Sequence, residues 1–101
     1  MERVAIVGVG ITRFGRRSDK TLQELAFEAG LAALRDAGLE TRDVEFLAVG
    51  CAGGWSSEPL PAVVVAEHLG LEGVGSMRVE AACASGSAAI KVAADIVSSG
   101  S

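Results

Sequence analysis

Short apolar runs alternate along this chain with longer stretches whose apolar residues recur every three or four positions. Residues 3–9, RVAIVGV, are β-branched and close at Gly8 and Gly10, the pattern of a buried strand. A polar, glycine-punctuated loop follows. In TLQELAFEAGLAALRDAG, the residues Leu22, Leu25, Ala26, Ala29, Ala33 and Ala37 fall at helical spacing. Thr21 and Glu24 have capping-box spacing, and Gly38 stands where a left-handed C-cap belongs, so a helix is expected over 21–37. Residues 44–49 form a second strand, and a Gly- and Ser-rich loop with Cys51 and Trp55 comes next. Residues 60–69 form a short helix with Pro61 near its start and Gly70 after its end. A third strand covers 77–80, and a last helix covers 84–99 with Gly100 as its stop.

The order strand, helix, strand, helix, strand, helix predicts an α/β layer around a mostly parallel sheet with right-handed crossovers. The last helix sets a further condition. Its charges, Lys91 and Asp95, lie on one edge, and the remainder is Ala, Ile, Val and small polar residues. A helix that apolar wants cover on nearly every side. With 101 residues the chain can bury only a modest core. The expectation is that residues 1–101 are the front part of a larger domain, or that a partner covers the helix.

Composition narrows the function classes. The net charge is −4, and no cluster of Lys and Arg marks a nucleic-acid surface. No apolar stretch nears the roughly 20 residues that span a bilayer, and the opening MERVAIVG is unlike a signal peptide. A cytoplasmic protein without membrane insertion is expected. Cys51 and Cys83 are far apart and match no metal spacing, so both are expected as free thiols. His68, the single histidine, excludes a multi-His metal site.

The run EAACASGSAA, residues 80–89, sets Cys83 among residues too small to fill a core. It falls where the third strand meets the last helix. A helix N-terminus presents free N–H groups and the positive end of the macrodipole, and both favour a thiolate. The same N–H groups can hold a negative oxygen developing on a bound carbonyl. Ala82, Ala84, Ser85 and Gly86 leave room for a substrate to reach the sulfur. Buried cysteines in Ala-rich helices are common, and that bland packing role is the alternative.

VEAACASGSAAIKVAADIVSSG resembles the nucleophile segment of the thiolase superfamily, and is most similar to that of archaeal-type and sterol-carrier-protein-type acetyl-CoA acetyltransferases. VAIVGVGITRFGR and LQELAFEAGLAALRDAGLETRDVEFLAVG resemble the opening of the same family, so the likeness covers essentially the whole chain. The resemblance implies a layered thiolase-like fold, of which this chain is the N-terminal βαβαβα portion. It implies that Cys83 takes the acyl group of an acyl-CoA as a thioester, with Ala84, Ser85 and Gly86 beside the oxyanion and substrate pocket. It also implies CoA thioesters as substrates, no cofactor or metal, and a homo-oligomer or association with a C-terminal half. That half would hold the histidine that activates the cysteine and the further Cys or His that moves the α-proton. His68 and Cys51 match neither motif. Two alternatives remain open: a related condensing enzyme of ketoacyl synthase type, and a non-catalytic acyl- or lipid-binding subunit with the same fold.

Other motifs offer less. GVGITRFG lacks the third small residue of a dinucleotide fingerprint, because Arg13 stands there. Cys51, at the end of the second strand, reads as a small loop residue and Trp55 as a loop anchor. His68 complements the end of its helix. Arg13, Arg16 and Arg17 form a solvated loop rather than a phosphate clamp. Ser87, like Ser85 on its second reading, packs on the helix.

Overall fold

The computed structural model describes residues 3–15, 19–52, 60–71 and 73–100. Helix α1, Leu22–Ala37, starts and stops as its sequence dictates. The Glu24 N–H donates to Thr21 Oγ1 at 3.2 Å, and the Thr21 N–H donates to Glu24 Oε1 at 2.9 Å. Gly38 ends the helix at φ 72°, where a side chain would be strained, and its N–H reaches the Arg35 carbonyl. One 3₁₀ turn, Thr41–Asp43, leads into strand β1, Phe46–Gly50.

Helix α2, Pro61–His68, then crosses to strand β2, Gly75–Val79. The strands pair in parallel, from Phe46 opposite Gly75 to Gly50 opposite Val79. Helix α3, Ser85–Ser99, follows and ends at Gly100 in the left-handed region. The α/β class with a parallel sheet therefore stands, and each helix begins and ends within one residue of the expected position.

The first expected strand differs. Among the described residues the sheet has two strands, and residues 3–9 form no ladder. They lie against α1 instead. A Cβ on Gly8 would strike the Ala33 carbonyl, and one on Gly10 would strike that of Ala29. The Val9 N–H donates to Asp36 Oδ2 of α1 at 3.0 Å, a side-chain acceptor in place of a neighbouring strand. The apolar pattern specified an extended segment, but a strand also requires a partner edge. Ile6 and Val9 consequently stay 75% and 69% exposed.

The core is small and centres on α2, whose Pro61, Ala62, Val65 and Ala66 are buried, with Leu71 just beyond. Helix α3 packs on the sheet through Ser85 and Ala89, its buried residues. Ile90 and Val97 remain 60% and 59% exposed. The apolar surface of α3 exceeds what the described residues cover, as its sequence leads one to expect.

Candidate active site

The carboxyl ends of parallel strands are where α/β folds gather reactive groups. Here β1 ends at Gly50 and β2 at Val79, side by side. Cys51 extends the pairing by one step, its N–H donating to the Val79 carbonyl at 3.1 Å. The Cys51 carbonyl accepts from Arg78 Nε at 3.2 Å, and another Arg78 nitrogen lies 3.6 Å from Glu80. Arg78 thus ties the two strand ends together. The Cys51 side chain is half-buried.

Beyond β2 the chain turns sharply into α3. Ala82 sits at φ 49°, the one described non-glycine residue with positive φ. For a residue carrying a Cβ this region costs roughly 1–2 kcal/mol, so the surrounding structure must hold it. Backbone hydrogen bonds run from Ala84 to the Ala81 carbonyl at 2.9 Å and from Ser85 to the Ala82 carbonyl at 3.2 Å. Ser85 Oγ adds two more: it accepts from the Ala81 N–H at 2.9 Å and donates to the Ala82 carbonyl at 2.7 Å. Cys83 is carried on this turn as an exposed, free thiol.

Cys83, Ala84, Ser85 and Gly86 thus come together at the N-terminus of α3. Cys83, Ala84 and Gly86 face solvent, whereas Ser85 is buried at 5% exposure. A Cβ added at Gly86 would meet nothing within 4 Å, so its surroundings are open. The opposite holds across the sheet end. A Cβ on Gly50 would lie 2.6 Å from the Ser85 carbonyl carbon and 2.8 Å from the Gly86 nitrogen. The strand end and the first turn of α3 therefore touch backbone to backbone. Of the N–H groups at the helix start, those of Ala84 and Ser85 are already spent on the Ala81 and Ala82 carbonyls of the turn.

His68 belongs elsewhere. Its ring meets Phe27 of α1 edge-on, with centroids 5.4 Å apart, and it lines an open groove of about 610 Å³ with residues of α1 and Lys20. Cys83 does not line that groove. Among the described residues no group of His, Cys, Asp and Glu could hold a metal ion. Arg13 is exposed; Arg16, Arg17 and Trp55 lie outside the described residues. Sequence reasoning missed the left-handed Ala82 and the contact at Gly50. The one signal for either was a serine two residues after the cysteine, just inside the helix.

A strand, a strained turn and an exposed cysteine at a helix start can be set beside known proteins. The family model for the thiolase N-terminal domain matches residues 4–101. The chain belongs to the thiolase family. It is 42% identical to an acetyl-CoA acetyltransferase of Methanocaldococcus jannaschii, over 99% of this chain and 26% of that protein. It is 38% identical to sterol carrier protein 2 of Gallus gallus, over 97% of this chain and 18% of that one. The thiolase chain thus spans about a quarter or less of these relatives. Among solved structures, 3-oxoacyl-[acyl-carrier-protein] synthase III from Aquifex aeolicus matches with a TM-score of 0.76 at 25% identity, over 92% of this chain and 30% of that one.

Proposed function

We propose that the chain is the N-terminal part of a thiolase-type acyltransferase, an acetyl-CoA acetyltransferase or 3-ketoacyl-CoA thiolase, with Cys83 as its nucleophile. The observation that carries this reading is the exposed Cys83 thiol on a held turn at the start of α3, in a chain of the thiolase family. The Cys83 sulfur adds to the thioester carbonyl of an acyl-CoA. The bond from that carbonyl carbon to the CoA sulfur breaks, CoA departs with the proton that Cys83 gave up, and the acyl group stays on Cys83. The developing oxyanion is held by backbone N–H donation at this turn, with that of Cys83 contributing. In the synthetic direction the α-carbanion of a second acyl-CoA attacks the acyl-cysteine, forming a carbon–carbon bond and freeing Cys83. In the degradative direction CoA attacks instead.

A nucleophilic cysteine requires a base, and His68 packs on Phe27 and lines a groove that Cys83 does not line. The base and the group that moves the α-proton therefore come from the remaining part of a longer protein, and residues 1–101 alone are inactive. CoA thioesters serve as substrates without a cofactor. Cover for Ile90 and Val97 by that remaining part or by a second copy fits the oligomer we assign, in the cytoplasm. Among the described residues no helix is long and apolar enough to cross a membrane.

The test is to incubate the full-length polypeptide with acetyl-CoA and map acetyl groups by peptide mass spectrometry. An acetyl thioester on Cys83, absent from Cys83→Ala, is the expected result. An unmodified Cys83 with retained ligand binding returns the non-catalytic, acyl-binding alternative. The likeness to the synthase III structure keeps the condensing-enzyme alternative in view. That reading also forms an acyl-cysteine, but its second substrate is a thioester on acyl-carrier protein rather than on CoA.

A further inference from the structure

The geometry points to Ser85 as the positioning residue for Cys83, acting through the left-handed turn at Ala82. Ser85 is buried, and its hydroxyl is spent on the backbone on both sides of Ala82. It accepts from the amide before the turn residue and donates to the turn residue's own carbonyl. An alanine at φ 49° has no steric reason to be there, unlike glycine. The two hydrogen bonds supply the reason. They tie residues 81 and 82 to the first residue of α3, and Cys83 lies between the tied points. Gly50 presses on the same Ser85 backbone from the sheet side, so the hydroxyl is anchored to a part of the fold that cannot retreat. Ser85 thus acts on the sulfur through the turn.

This inference rests on the reading of Cys83 as the nucleophile, and the experiment keeps the two apart. Three proteins are compared as full-length polypeptides: wild type, Ser85→Ala and Ser85→Ala with Ala82→Gly. Three quantities are read: acetyl transfer from acetyl-CoA to Cys83, alkylation of Cys83 and Cys51 by iodoacetamide, and hydrogen exchange at the Ala81 amide. In Ser85→Ala, acetyl transfer should fall by about tenfold to a hundredfold, the scale of a small misplacement of a reacting group. Alkylation of both thiols by the small, unpositioned reagent should stay within about twofold, since misplacement and not unfolding is the cause. Exchange at Ala81 should quicken at least about tenfold, as expected for an amide that has lost its acceptor. Adding Ala82→Gly should return much of the acetyl transfer, because glycine takes the turn unaided, while Ala81 exchange stays fast.

Unchanged Ala81 exchange in Ser85→Ala overturns the inference whatever the enzyme does. So does wild-type acetyl transfer in Ser85→Ala, or a failure of Ala82→Gly to restore any. Equal, greatly raised alkylation of both cysteines marks general unfolding and also overturns it. A wild-type protein that takes no acetyl group overturns the nucleophile reading itself, and removes with it any part for Ser85 in acyl transfer.

Discussion

The α-carbon of Gly50, at the end of β1, rests against the backbone of Ser85, at the start of α3; a Cβ on Gly50 would lie 2.6 Å from the Ser85 carbonyl carbon. Backbone atoms cannot swing aside as a side chain can. Gly50→Ala must therefore push the helix start away from the sheet, at a cost of about 1–3 kcal/mol typical of overpacking. The denaturant midpoint should fall, and acetyl transfer to Cys83 should fall with it. Gly86→Ala adds the same methyl where nothing lies within 4 Å, and it should leave the midpoint close to wild type.

The capping box of α1 makes stability depend on pH. The Glu24 carboxyl is held below its ordinary value, first by the Thr21 backbone N–H and then by the Thr21 side chain; desolvation opposes them, and Lys20 and His68 add smaller help. A carboxyl lowered in the folded state adds stability above its unfolded pKa and loses it as pH falls through the folded one. Denaturant midpoints of wild type and Glu24→Gln should differ most near neutral pH and converge once pH has fallen through the lowered folded-state value of Glu24, below the ordinary glutamate range. Thr21→Ala removes the cap acceptor and should cost about 1 kcal/mol, the usual worth of such a residue.

The two thiols should behave differently. Cys83 is exposed and Cys51 half-buried, with the Cys51 backbone fixed by Val79 and Arg78. Cys83→Ser should abolish acetyl transfer from acetyl-CoA, while Cys51→Ser should leave it within a few-fold. Peptide mapping after a timed exposure to iodoacetamide should find Cys83 modified before Cys51.

The outer face of α3 predicts association. Ile90 and Val97 are large, apolar and exposed. Ile90→Lys with Val97→Lys should raise the solubility of residues 1–101 expressed alone, since neither side chain is buried by the described fold. In the full-length polypeptide the same pair should reduce stability or oligomerisation, seen as a lower melting temperature or a smaller species by light scattering.

What the sequence disclosed was what neighbouring residues decide among themselves. Thr21 and Glu24 are three apart, and their mutual hydrogen bonds follow from spacing alone. Gly38 and Gly100 sit one position after helical periodicity stops, and both adopt the left-handed conformation. The position of Cys83 at a strand-to-helix junction was legible for the same reason. Residues 3–9 show where this reasoning ends: their apolar pattern is that of a strand, but a ladder depends on a second segment, and Asp36 took the Val9 amide. Ala82 was illegible for another cause. Positive φ announces itself in sequence through glycine or asparagine, and here an alanine is held in it by a serine three residues on. The small core around α2 was likewise hidden, because Val65 and Leu71 look no more apolar than the exposed Ile6 and Val9.

The contact between Gly50 and Ser85 also orders events in time. Segments 35 positions apart in sequence meet there, so loop closure must precede it. The turn around Ala82 can form from local hydrogen bonds, but the helix start gains its fixed seat only when the end of β1 arrives. A chain still emerging from the ribosome, or one that has locally opened, carries the Cys83 thiol without its setting. The setting of this cysteine is thereby coupled to completed folding, and a partly folded molecule presents the thiol without it.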